Sequence, residues 1–452
     1  MKIDKFIKGL RIVMILIFFA WGVSWISVKA HHKELRKRNF IENMVVEAGN
    51  LPAIIRQWFK AINGNPEISK KIKISKELYK IGEFPKKSVI NDSLYLLYYK
   101  YIGNNNGKVY LQNIKHGDTA FTWDIPFIEI MDDLNRIDKY LKNQYLTDSL
   151  PLNLSLKIKK NITSIAIRSP IISNDSSLIF HCGTSYLYKI DKNSKILWKS
   201  KRLVHHSIEL DNNSNIWTCS IDLHNKEAIF RAYREDAILC LSPNGEEKEF
   251  FPLTKIFKSN RLFKKLIGSS ENPNNTYGLD PYHLNDVLPV NYNGEYWQRG
   301  DIFLSLRSQS MVFQYRPSID SIIWYQQGLG LGQHDINIVN DSVISFFNNN
   351  IWFFRKNNND LSSNIAFYDF KDDSTIFKYN NIFKSSYEGR QNQIFDKSLI
   401  IESTVESIFF ILDSLGKVSG EFYIPYFSNP SRAMYPTWAR VYLKKNNKFI
   451  LQ

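Results

Sequence analysis

The chain is poor in the residues that most often announce a chemical site. Among 452 residues there are 3 cysteines and 9 histidines. Cys182, Cys219 and Cys240 form no CxxC pair and no metal-ligand spacing, which excludes a cysteine-built metal centre. A single disulfide with one thiol left over stays open. Glycine (20) and proline (15) are scarce too, which excludes a low-complexity chain. Acidic residues fall short of basic ones, 44 against 59, a net charge of +15. Such an excess suits nucleic acid, phospholipid or an anionic substrate. No basic helix, zinc-finger spacing or RNA-binding aromatic signature accompanies it. Runs such as "KKNNKF" and "KNNND" point instead to a general bias towards Lys, Asn and Ile, and nucleic acid is set aside.

Long apolar runs are absent, with one exception. After the basic "MKIDKFIKGLR", residues Ile12 to Val28 carry no charge. The run is at the lower limit for a spanning helix and long for a signal-peptide core. Residues 1–30 are therefore expected to be an uncleaved signal anchor or a cleaved signal peptide, the anchor being favoured. Lys and Arg flank both ends, so orientation is not fixed by charge. Either alternative puts the remainder outside the cytoplasm, on the periplasmic or extracellular face.

What is abundant is aromatic: 24 Tyr, 30 Phe and 10 Trp, a share that leans towards β-structure. Residues 31–80 are expected to be a juxtamembrane helical segment, since in "LPAIIRQWFKAI" Ile54, Ile55, Trp58, Phe59 and Ile62 fall at helical spacing. From about residue 81 the pattern becomes short alternating runs. One hairpin pattern recurs six times, at 109–123, 186–198, 237–250, 311–324, 365–377 and 408–422, each with Asp, Asn, Ser or Gly in its turn. Radial repetition of one hairpin predicts an all-β, six-bladed β-propeller over 81–452, with the hairpin as the outer half of each blade. Two stacked sandwiches are the weaker alternative. "IPFIEIMDDLNRIDKYL" (125–141) is a helical insertion, with Ile130, Met131, Leu134, Ile137 and Leu141 on one face.

Four stretches between the hairpins hold the chemistry-bearing residues: "HHSIELDNNSNIW" (205–217), "DPYHLNDVLPV" (280–290), "DIFLSLRSQS" (301–310) and "GLGQHDINIVNDSVISFFNN" (330–349). On strands lining an axis they can converge. Neighbours on a strand face opposite sides, so only one of His205 and His206 can be central. His206 is the choice, because Ile208 and Leu210 would share its face.

In order, His205-His206-Ser207 with "NNSN", Tyr282-His283-Leu284-Asn285, Ser305-Leu306-Arg307-Ser308 and Gln333-His334-Asp335 before "VISFFNNN" resemble the bacterial aryl sulfotransferase family. These are the enzymes independent of 3′-phosphoadenylylsulfate and built on a six-bladed propeller. The ordered motifs span residues 205 to 350; elsewhere only the repeat pattern matches.

The resemblance implies that His334 is the nucleophile, forming a sulfohistidine, a role that suits a neutral imidazole. It implies that Arg307 holds sulfuryl oxygens, which a guanidinium fork matches. His283 and His206, with His205 beside it, would donate hydrogen bonds and exchange a proton with the phenol, and Asn285 would be a supporting donor. An aryl sulfate donor and a phenolic acceptor are the expected partners, in a ping-pong cycle that needs no dissociable cofactor. No metal is expected, because Arg307 in the same cluster opposes a cation.

Departures from the family pattern are Asp286 in place of Ser, Ser207 where Asp is common, and an extra loop around "NYNGEYWQRG". The loop is expected to reshape the acceptor site. The other histidines receive no role. The competing class is a non-catalytic propeller at the cell envelope that binds a ligand or a protein.

Overall fold

A computed structural model describes residues 69–72, 78–85, 90–103, 106–145, 166–223, 235–264, 280–351, 362–394 and 397–452. The expected signal anchor (1–30) lies outside them. No described helix is long and apolar enough to cross a membrane.

The described chain is mostly β, with two α-helices, α1 (Phe127–Tyr145) and α2 (Leu253–Ser259). Six strands form an inner ring: β1 (Arg168–Ile172), β2 (Ile196–Leu210), β3 (Leu284–Pro289), β4 (His334–Ile338), β5 (Arg390–Gln393) and β6 (Arg440–Lys445). Each opens an antiparallel meander of four strands. β2 serves twice: its first half closes the meander of β1, and its second half opens the next. The meander of β6 is completed by N-terminal strands, with Arg440–Leu443 pairing Leu94–Leu97. Neighbouring inner strands touch in order around the ring, and the arrangement is propeller-like.

All six hairpins expected from the alternation form, each as the outer pair of a meander. Their apolar faces meet between sheets. Ile171, Ile179 and Leu187 pack on Ile208, Ile216 and Leu239 at one junction. Phe347, Ile365 and Phe383 meet Leu399, Ile401 and Phe410 at another. Stability therefore comes from junctions between sheets, each large side chain so buried contributing about 1.5–3 kcal/mol.

Side chains also bond across the joints of the ring. Val287 N donates to Ser207 Oγ (3.0 Å), Ile336 N to Asp286 Oδ2 (2.5 Å) and Gln391 N to Asp335 Oδ2 (2.7 Å). Val441 N donates to Asn392 Oδ1 (3.3 Å) and Ile172 N to Tyr442 Oη (2.9 Å). Ser207 and Asp286, the two departures noted above, thus hold strands together. They satisfy backbone donors that no ladder reaches.

A second regularity sets up the site. At or just before the start of β1, β3, β4 and β6, and in mid-strand in β2, one residue is left-handed: Ser169 (φ 49°), His283 (50°), Asp335 (54°), Trp438 (64°) and His206 (57°). At β5 the pair Glu388 (54°) and Gly389 (117°) plays this part. Register shifts accompany the residues in β1 to β4. Each is a bulge, which bends the strand and re-aims a side chain.

Two expectations change. Ser69–Lys71 and Leu78–Lys80, placed in the helical segment 31–80, are strands paired with Asn429–Met434 and, in parallel, with Val418–Tyr423. They gain their partners from the far end of the chain, which no local spacing reveals. The three cysteines are free and buried, and Cys219 sits 3.6 Å from Ser207 Oγ, so no disulfide forms among them. The helical insertion forms as α1, which buries Ile130, Leu134 and Ile137.

Candidate functional site

The bulges gather side chains from β2, β3, β4 and β6 at one end of the ring. The imidazole of His206 lies 5.0 Å from that of His283, 6.4 Å from that of His334 and 6.3 Å from the Trp438 ring, centroid to centroid. His334 is 6.1 Å from Trp438.

Arg307 joins them through its hairpin. β3 pairs antiparallel with Ile302–Leu306, so the residue before one strand meets the residue after the other. Arg307 N donates to the His283 carbonyl at 3.0 Å. The guanidinium is largely buried, which lowers its pKa from the ordinary value, with Asp280 opposing. A guanidinium stays charged regardless. It lies close enough to His334 to disfavour a second positive charge there.

The histidines are backed differently. His283 Nδ1 donates to Asp280 Oδ2 at 2.5 Å. His205 is buried, and its Nε2 faces two acceptors, Ser220 O and Asp236 Oδ1, both at 3.3 Å. With Nε2 the donor, Nδ1 of His205 accepts from Nδ1 of His206 at 2.7 Å. His206 is thus backed by a carboxylate through His205, and His283 is backed by one directly. Such backing fixes the orientation of each ring.

His334 has no carboxylate on its ring nitrogen. Its Nδ1 meets Asn349 Oδ1 at 2.7 Å. Burial, then Arg307, pushes its pKa down to about 3, with hydrogen bonds to Asn349 and the Gly332 carbonyl opposing. The ring is neutral at pH 7.

Beneath the histidines lies a buried ion cluster. Arg440 makes a bidentate pair with Glu209 (3.0 and 3.1 Å), and Arg390 reaches Glu209 at 3.3 Å and Asp335 at 3.7 Å. Burial would raise Glu209, but Arg440 and Arg390 outweigh it and hold its carboxyl low. Burial lifts Asp286 to about 7 and Asp335 to about 6, the second against Arg390.

The structure therefore brings together His206, His283, Arg307 and His334, with His205 behind His206. His206 does not face the centre by strand alternation, as expected. Its left-handed backbone and the register shift at Cys219 break the alternation there. Asn285 differs from its expected place as a donor in the site: its Nδ2 donates to Gln333 O at 2.7 Å and steadies the strand start that carries His334.

The loop at 291–300 lies at the opposite end of β3 from His283 and packs through Trp297 on Phe303 and Phe370. Six residues of strand span about 20 Å, so it cannot reshape this site.

Asp236, Asp280, Asn349 and His181 are the residues that sequence reasoning left without a role. His181 Nε2 lies 2.8 Å from the His206 carbonyl and fixes the bulge. Asp280 and Asn349 fell inside the quoted stretches, Asn349 within "VISFFNNN" itself. Asp236 had no local signal.

The Arylsulfotransferase (ASST) family model matches residues 170–421. No curated protein matches the chain. Among solved structures, a protein of unknown function from Bacteroides caccae is similar at 9% identity, covering 74% of this chain and 94% of its own, with a TM-score of 0.42. The Pan2 WD40 domain of Neurospora crassa is similar at 10% identity, over 81% and 98%, with a TM-score of 0.39. A virginiamycin B lyase from Staphylococcus aureus is similar at 12% identity, over 63% and 83%, with a TM-score of 0.34.

Proposed function

The chain belongs to the Arylsulfotransferase (ASST) family, and on that premise we propose that it moves a sulfuryl group from an aryl sulfate to a phenolic hydroxyl through a sulfohistidine on His334. The observation that carries this reading is the pairing of a buried, neutral His334 with Arg307, beside two carboxylate-backed histidines. Neutral imidazole is nucleophilic without a base, and Arg307 supplies a fixed positive charge for the sulfuryl oxygens.

In the first half-reaction a ring nitrogen of His334 attacks sulfur. The N–S bond forms, the S–O bond to the aryl group breaks, and its electron pair leaves on the phenoxide. His206 or His283 gives the phenoxide a proton. In the second half the acceptor hydroxyl returns a proton to that histidine and attacks sulfur, and the N–S pair goes back to His334. Donor and acceptor use the site in turn, a ping-pong cycle with no dissociable cofactor.

The scaffold we propose is a six-bladed β-propeller, its blades the six meanders of the ring. The apolar run from Ile12 to Val28 supports attachment to a membrane with the propeller on the periplasmic or extracellular face.

The test is incubation with an aryl sulfate that releases a coloured phenol, together with a phenolic acceptor. The reading requires turnover that His334→Ala abolishes, and a peptide sulfated on His334 by mass spectrometry. Neither product across a broad panel of donors and acceptors would sink it and leave a binding propeller.

A further inference from the structure

Asn349 lies where the strand Val343–Asn348 turns, and its side chain is completely engaged. Nδ2 donates to Ser385 O at 2.7 Å and to Glu388 O at 2.6 Å. Both amide hydrogens are therefore committed to carbonyls, and the orientation of the amide is fixed. Oδ1 can only accept, and its partner is Nδ1 of His334 at 2.7 Å. Ser363 Oγ holds the same corner, its one hydrogen within reach of the Asn349 carbonyl at 3.2 Å and of Ser385 O at 3.1 Å. Asn349 is 2% exposed and His334 1%, so the pair is shielded from bulk solvent.

We propose that Asn349 is a positioning residue that fixes the tautomer of His334, keeping the hydrogen on Nδ1 and the lone pair on Nε2 as the attacking atom. The chemical consequence rests on the sulfuryl-transfer reading; the tautomer itself does not. Attack by the Nε2 lone pair forms the N–S bond and expels the phenoxide with the S–O electron pair. The ring then carries the sulfuryl group on Nε2 and the original hydrogen on Nδ1, so it has become an imidazolium. Asn349 Oδ1 accepts that hydrogen before and after the step, and the ring never has to lose it.

The neutral amide matters. His283 and His205 face the carboxylates of Asp280 and Asp236. A carboxylate at position 349 would favour a protonated His334, which has no lone pair to attack with. The amide orients the ring without holding a charge on it. The three site histidines thus divide by the group behind them.

The test uses the full chain with ¹⁵N-labelled histidine and two-bond nitrogen–proton correlation spectra at pH 7. His334→Gln identifies the His334 signals. The expected spectrum has a protonated Nδ1 and an unprotonated Nε2. Asn349→Leu, which fills similar space without an acceptor, should lose that preference and lower kcat by about 10²–10⁴-fold with KM little changed, the scale of a wrong tautomer at a catalytic histidine. A wild-type His334 protonated on Nε2 overturns the proposal, as does an unchanged Nδ1–H tautomer in Asn349→Leu. Should that variant fail to fold, the wild-type spectrum still decides. An Nδ1–H tautomer in a wild type that turns over no aryl sulfate supports this assignment and defeats the proposed reaction.

Discussion

The side chains at the centre act through how each is backed, and substitutions that keep charge but change shape should expose this. Arg307→Lys retains a cation but replaces a fork by a point charge. On the proposed sulfuryl-transfer reading, an ammonium would not bridge two sulfuryl oxygens as a guanidinium would, so kcat/KM for an aryl sulfate should fall by about 10²–10³-fold. Full activity in Arg307→Lys would remove the oxyanion role assigned to it.

Asp286 gives a pH prediction. Burial, with Glu209 and Asp335 nearby, lifts its carboxyl to about 7 from an ordinary value near 3.8. The folded chain then keeps a proton that the unfolded chain has released. The stability this gives is full below about 3.8 and is lost as pH rises through 7. His334 runs the other way, losing stability as pH falls below 6.5 towards 3, but it is common to wild type and variant. Asp286→Asn removes only the first effect. Its Tm relative to wild type should therefore be higher at pH 8 than at pH 5, whatever constant cost the amide brings. An offset identical at both pH values in scanning calorimetry would contradict this.

At the scale of elements, the inner strands are held by bonds across joints and aimed by bulges. Tyr442→Phe deletes one joint bond without changing shape, leaving Ile172 N without that acceptor. A loss of about 1–3 kcal/mol in chemical denaturation is expected. Gly389 marks the bulge before β5. A Cβ there would lie 2.5 Å from the Phe347 ring, at a φ of +117°. At Gly183, with φ +64°, nothing lies within 4 Å. Gly183→Ala should cost about 1–2 kcal/mol for conformation alone, and Gly389→Ala clearly more, because Phe347 must move as well. Equal costs would mean that the contact is unimportant.

This scale also explains what was legible. The hairpins follow from alternation, a local signal, and all six form. The bulges carry no such signal, because four of the inner strands place Ser, His or Asp in the left-handed position and β6 places Trp438 there. Only at β5 does a glycine mark it. The motifs therefore picked out the four residues that converge, but His206 gained its orientation for a reason that strand alternation does not supply. Two of the groups behind the histidines are distant in sequence, which hid their pairing: Asp236 stands 31 positions after His205, and Asn349 stands 15 after His334.

For the molecule as a whole, the ring closes through its last strand, and its ends were invisible to local reasoning. Ser69–Lys71 and Leu78–Lys80 are too short to show any period, and their partners lie more than 300 residues away. β6 is tied to the rest of the ring at three points. Its backbone covers Leu94–Leu97, part of a run buried almost throughout. Arg440 neutralises Glu209 in the axial ion cluster and donates to the Ile208 carbonyl. Tyr442 ties β1 to it. Deleting residues 440–452 would leave Glu209 with Arg390 as its remaining arginine partner and expose an apolar strand edge. Breaking a buried pair costs about 3–5 kcal/mol by itself, and an open apolar edge invites pairing between chains. That chain should lose its cooperative thermal transition and elute as aggregates. Deleting only 446–452 removes the half-exposed strand Lys448–Leu451 and leaves the closure in place. That shorter deletion should stay monodisperse with a modestly lower Tm. Similar behaviour of the two truncations in melting and size-exclusion experiments would show that closure by β6 does not hold the ring.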